Sequence, residues 1–203
     1  MTTPSTLAAV VLATALSVAV ASDTPDPWSR QKSRPDASQG AVVAQVIGVD
    51  TWVQVAYHRP AVRGRDVWDA TDSRGNNLVP RNGEPKPWRA GANEVTTIEF
   101  SGDVRVQGAE VAAGKYALFM IPGDDPTKEP WTLVLNKDTE QWGSGRDYDV
   151  EKDVLRVDVH PERAPMTEYL TYGFTDCEAW SMIAFLRWEK LRLPFEIEVQ
   201  AQR

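Results

Sequence analysis

WSMIAFLRWEKLRLPFEIEV, residues 180–199, decides the fold class of this chain. Trp180, Met182, Ala184, Leu186 and Trp188 alternate with Ser181, Ile183, Phe185 and Arg187. Both faces of that run are largely apolar, which predicts a strand covered on both sides. Further on, Leu191, Leu193, Phe195, Ile197 and Val199 alternate with Arg192, Pro194, Glu196 and Glu198. This second run predicts a half-buried strand, with Pro194 marking an edge or an irregularity in the ladder. Glu189-Lys190 between them predicts a hairpin turn. The period is two, not 3.6.

Working outward, the same alternation recurs at 41–47 and 51–58, flanking Gly48-Val49-Asp50, and at 95–100, 104–107, 115–121, 131–136, 154–159 and 168–174. Turn residues separate these runs, among them Ser101-Gly102-Asp103, Ala113-Gly114 and Pro122-Gly123-Asp124-Asp125-Pro126. About ten short strands with Gly and Pro between them predict an all-β fold, an antiparallel β-sandwich. No internal repeat of 20–50 residues occurs, which argues against a propeller or solenoid.

The first 21 of the 203 residues carry no charge, so all 22 basic and 29 acidic side chains lie in the remainder. Hydrophobic residues at 42% and charged residues at 25% are ordinary globular usage, which excludes disorder throughout and a polytopic membrane protein. A net charge of −7 argues against nucleic acid as a partner. One cysteine, Cys177, cannot form an intrachain disulfide, and two histidines leave little for a metal site, so no metal and no cofactor are expected.

Residues 7–21, LAAVVLATALSVAVA, are too short for a span, which needs about 20 apolar residues. Ala19-Val20-Ala21 before Ser22 is the small-residue pattern that signal peptidase reads, although MTTPST lacks Lys and Arg. The reading is a signal peptide at 1–21, with an uncleaved anchor as the alternative. Residues 22–39, rich in Pro, Ser, Asp and Arg, predict a mobile arm, and 40–203 a single domain. The chain is expected to be exported, periplasmic or extracellular, with no membrane span after cleavage.

One long connection, 59–87, breaks the strand pattern with three glycines and four prolines. Ordered loops beyond about 12–15 residues are uncommon and are often functional. From Arg59 to Arg89 there are seven basic residues (six of them Arg) against four acidic, a balance of +3, while the rest of the chain carries −10. Arginine forks suit bidentate carboxylate or phosphate recognition. They equally suit tying the loop to the acidic remainder of the same molecule.

Trp88-Arg89-Ala90-Gly91-Ala92-Asn93-Glu94 leads from that connection into the next strand. Gly91 and Asn93 tolerate unusual backbone angles, and Arg, Asn and Glu together could hold a polar ligand or satisfy backbone groups of the loop. Trp68, Trp88 and Trp142 lie off the alternating runs. They read either as sugar-stacking faces or as plugs for the open end of a sandwich. For nucleophilic catalysis there is no G-x-S-x-G, Gly143-Ser144-Gly145 lacks the strand–turn–helix setting, and Cys177 has acidic neighbours. Glu94, Glu99, Asp147, Asp149 and Asp158 could supply hydrolytic carboxylates, but no spacing selects a pair. Asp124-Asp125 lacks a calcium-loop pattern.

Several segments taken in order carry a resemblance: Tyr57-His58-Arg59-Pro60, Arg63-Gly64-Arg65, Leu78-Val79-Pro80, the Trp88 to Glu94 run, Ala113-Gly114-Lys115-Tyr116, Ile121-Pro122-Gly123 and Trp142-Gly143. Over residues 41–199 the chain resembles the secreted bacterial domain-of-unknown-function family catalogued as DUF 2911. His58 stands where a small polar residue is usual, Arg63 where Lys is usual, and residues 69–77 form an insertion. The resemblance implies an exported bacterial β-sandwich and brings no catalytic residues. The expectation is a non-catalytic binding domain for a small anionic or sugar ligand, held by Arg59, Arg63, Arg65, Trp88, Arg89, Asn93, Glu94 and Trp142. A purely structural envelope domain and a carboxylate-dependent hydrolase using Glu94 and Arg89 are the alternatives.

Overall fold

The stretch at 180–199 folds as one strand, Ser181–Glu198, and not as the expected hairpin. Glu189 adopts φ 53° inside it, and the register against the neighbouring strand shifts on both sides of that residue. A bulge bends a strand without ending it, and here the bend lets one strand serve two partners.

The computed structural model describes residues 38–69, 78–83, 86–140 and 148–199. The strands are β1 (Gln39–Ile47), β2 (Thr51–Arg59), β3 (Thr97–Phe100), β4 (Val104–Val106), β5 (Ala109–Val111), β6 (Gly114–Ile121), β7 (Trp131–Asn136), β8 (Asp153–Val159), β9 (Glu162–Thr175) and β10 (Ser181–Glu198). Single 3-10 turns occur at Arg81–Gly83 and Val150–Lys152, and the described residues contain no α-helix. None of them forms a helix long and apolar enough to cross a membrane. The signal peptide and nearly all of the arm expected at 1–39 lie outside the described residues.

Two antiparallel sheets result, ordered β1-β2-β3-β6-β7-β8 and β5-β4-β10-β9. The all-β sandwich read from the sequence is therefore the architecture of the chain. β10 pairs with β9 from Ile183 to Arg192 and with β4 at Ile197 and Glu198. Pro194 falls in the interval between those pairings, where its missing N–H costs no ladder bond.

Alternation then fills the space between the sheets. Trp131, Trp188, Phe100, Phe195 and Leu118 are fully buried there, and each such side chain contributes about 1.5–3 kcal/mol by leaving water. A smaller cluster, Val95, Ala117, Phe119 and Val134, covers the opposite face of the larger sheet. Its members on β6 alternate with Leu118 and Met120 of the main core.

The sheets are joined at one corner by the start of the long connection. Beyond β2 the chain pairs with the outer edge of β9: the Val62 amide donates to the Glu168 carbonyl at 2.8 Å, and the Leu170 amide to the Pro60 carbonyl at 3.0 Å. This crossing sets the arginines of the connection beside the open end of the sandwich.

Candidate functional site

Arg59 stands at the end of β2, where its Nε donates to the Leu170 carbonyl at 3.0 Å and its Nη2 to the Thr171 hydroxyl at 2.9 Å. Its guanidinium also lies 5.8 Å from the centre of the Tyr169 ring, within cation–π range. Arg65 folds back on its own loop, donating from Nε to Val62 (3.0 Å) and from Nη2 to Ala61 (2.6 Å), both carbonyl oxygens. Arg63 differs. It is exposed at φ 50°, its backbone amide donates to the Glu168 carboxylate at 2.8 Å, and its guanidinium has no partner among the described residues.

The Trp88 to Glu94 segment closes the end of the sandwich. Trp88 exchanges both backbone hydrogen bonds with Met120 at 2.8 and 2.9 Å, as a strand would. Its ring stacks on Trp188 at 6.0 Å, and Trp68 packs edge-on against Trp188 and Trp131. Trp68 and Trp88 are thus buried plugs, at 7% and 3% exposure, and not presented stacking faces. Ala90 and Asn93 carry the left-handed backbone, at φ 51° and 56°. Gly91 instead allows close approach: a Cβ there would meet the Thr96 hydroxyl at 2.6 Å and the His58 carbonyl at 3.2 Å.

Behind this loop lies a charged cluster. His58, buried on β2, places Nδ1 3.3 Å from Glu94 Oε2. That buried oxygen makes no hydrogen bond within the described residues. Burial holds the His58 pKa below its ordinary value, Glu94 works in the opposite direction and Arg89 works with the burial. Burial likewise lowers the Arg89 pKa, and Glu94 again opposes it. Arg89, Glu94 and His58 therefore form one electrostatic unit with Arg89 half-buried.

These elements enclose a cavity of about 580 Å³, within the size range of small-ligand sites. Arg59, Arg63, Arg65 and Arg89 all line it, with Trp88, Tyr169 and Trp188, and its described lining contains no Asp or Glu. Asn93 and Glu94 do not reach the lining. Asn93 instead donates to the Ser38 carbonyl at 3.0 Å, and Glu94 faces His58. Trp142 and most of the insertion at 69–77 lie outside the described residues. Tyr169 and Trp188 fall outside the site read from the sequence because alternation marks them only as strand residues. Their signal is distance-dependent and appears once Pro60 to Val62 pairs with β9.

Fold and site define a class: an all-β sandwich whose one open end is closed by a tryptophan-plugged loop beside an arginine-lined cavity. Within that class, residues 38–197 match the family described as "Protein of unknown function (DUF2911)", and the chain belongs to that family. No curated protein and no solved structure matches the chain.

Proposed function

We propose that this chain is an exported domain of the bacterial cell envelope that binds a small anionic ligand, without catalysis, in the cavity lined by Arg59, Arg63, Arg65 and Arg89. The observation that carries the reading is four arginines and no carboxylate among the described lining, in a chain of net charge −7. Carbonyl oxygens hold Arg59 and Arg65 in place without neutralising them, so their charge remains available to an anion. Tyr169, 54% exposed, adds apolar surface beside that charge. The described lining offers no carboxylate to a hydrolytic reaction, and Glu94 is turned toward His58.

A structural role is the second reading, favoured by the same carbonyl bonds of Arg59 and Arg65, which pin the connection to β9 and to itself. Thermal unfolding in phosphate, sulfate, dicarboxylates and neutral sugars separates the two. A bound anion at a hundred times its dissociation constant adds about 2.7 kcal/mol. Arg63→Ala, an exposed change, leaves unliganded stability within about 0.5 kcal/mol and removes the anion-induced shift. No shift with any anion, or a shift that survives Arg63→Ala and Arg89→Ala alike, leaves the structural reading standing.

A further inference from the structure

Four strands end the two sheets, and three of them carry features that block further pairing. β8 bears Asp153, Arg156 and Asp158 and shifts register against β7. β5 is three residues long and carries Glu110. β9 bears Glu162, Arg163, Pro165 and Glu168, shifts register twice against β10 and is met on its outer edge by Pro60 to Val62. β1 has none of these devices. Its nine residues, QGAVVAQVI, hold no charge and no proline, and all nine pair with β2 in unbroken register.

The ladder also shows which backbone groups of β1 are open. The Trp52 amide donates to the Ser101 hydroxyl at 2.8 Å, and the Trp52 carbonyl accepts from the Ser101 amide at 3.0 Å. Both groups of Trp52 are thus turned away from β1. Val46, directly opposite, belongs to a non-hydrogen-bonded pair, with its N–H and C=O directed to the free edge. By alternation Ala44, Val42 and Gly40 present theirs the same way. The Val46 carbonyl accepts from the Gln45 side chain at 3.0 Å; the outward groups of Gly40, Val42 and Ala44 have no partner among the described residues. Ala41 and Val43 pack on the core, so Val42, Ala44 and Val46 share the opposite face, where Val46 is 56% exposed.

We propose that β1 pairs antiparallel with β1 of a second copy of this chain, joining two six-stranded sheets across a two-fold axis. A two-fold pairing lays the strand against itself, residue i facing j and j facing i, so a strand of net charge meets its own sign and the uncharged β1 does not. A charged peptide would find no counter-charge along this edge.

Sedimentation of the full chain at tens of micromolar tests the pairing, with twice the monomer mass as the expected result. Ala44→Pro removes one outward N–H and no bond to β2, so it yields the monomer mass while the chain stays folded, with a melting temperature that no longer rises with protein concentration. Should that proline unfold β1, Val46→Lys on the exposed face is the second variant, with the same expected loss of dimer. A wild-type chain that sediments as a monomer overturns the proposal, as does a dimer that persists in both variants. Amide protection of Gly40, Val42 and Ala44 in a monomer also overturns it, because another segment then occupies the edge.

Discussion

Tyr172 donates its phenol hydrogen bond to the carbonyl oxygen of Ala90 at 2.9 Å, tying the inner face of β9 to the left-handed turn of the end-closing loop. The Thr96 hydroxyl donates to the same oxygen at 3.1 Å. All three residues are fully or nearly fully buried, so the carbonyl depends on these two donors. Tyr172→Phe is expected to cost about 0.5–1.5 kcal/mol, the net worth of one hydrogen bond. Combining it with Thr96→Val removes both donors. The double variant should lose more than the sum of the single losses, measured by urea unfolding as a double-mutant cycle.

Gly91→Ala forces a methyl group to within 2.6 Å of the Thr96 hydroxyl and 3.2 Å of the His58 carbonyl. One of these neighbours is backbone of β2 and cannot swing aside. The expected loss is about 1–3 kcal/mol, as for overpacking in a tight interior. A denaturation midpoint indistinguishable from wild type would sink this account of the glycine.

Stability should also fall on mild acidification. Burial keeps the folded His58 pKa below its ordinary value, with Arg89 adding to the shift and Glu94 opposing it. The unfolded imidazole takes up a proton near pH ~6.5. The unfolded state therefore binds more protons in the window between the two values, so the His58 contribution is whole above that pH and is lost as pH falls toward the folded value. Urea midpoints measured on either side of the window check the slope, and His58→Gln should flatten it.

The proposed export makes a mass prediction. The apolar run at 7–21 and Ala19-Val20-Ala21 call for cleavage after Ala21. Intact mass of the protein from an envelope fraction should lack residues 1–21, and retention of Met1 through Ala21 would show an uncleaved anchor instead.

Much of the sandwich was legible because period-two patterning reports directly on which residues face the core. The strands at 51–59, 114–121 and 131–136 lie close to where alternation puts them. Two places escaped it. Glu189-Lys190 looks like a turn because both residues are polar, yet tertiary pairing to β9 and β4 carries the chain straight through. β5, only Ala109–Val111, is too short to show a period at all. In the candidate site, the arginine excess of the long connection was plain from charge counting. What composition cannot convey is which guanidinium groups bond to carbonyls, as those of Arg59 and Arg65 do, and that the Arg63 guanidinium meets no partner among the described residues. Gly91, expected to supply an unusual backbone angle, is selected instead by close approach, and the left-handed angle falls on Ala90.

β10 is the strand that makes the smaller sheet one object, since β4 and β5 reach β9 only through it. A ribosome building this chain releases β4 and β5 long before β10. During that interval the pair is an isolated hairpin, marginal by itself, and Phe100 and Trp131 on the finished larger sheet have no second layer to lie against. The second layer therefore closes over that sheet only once synthesis has passed residue 198.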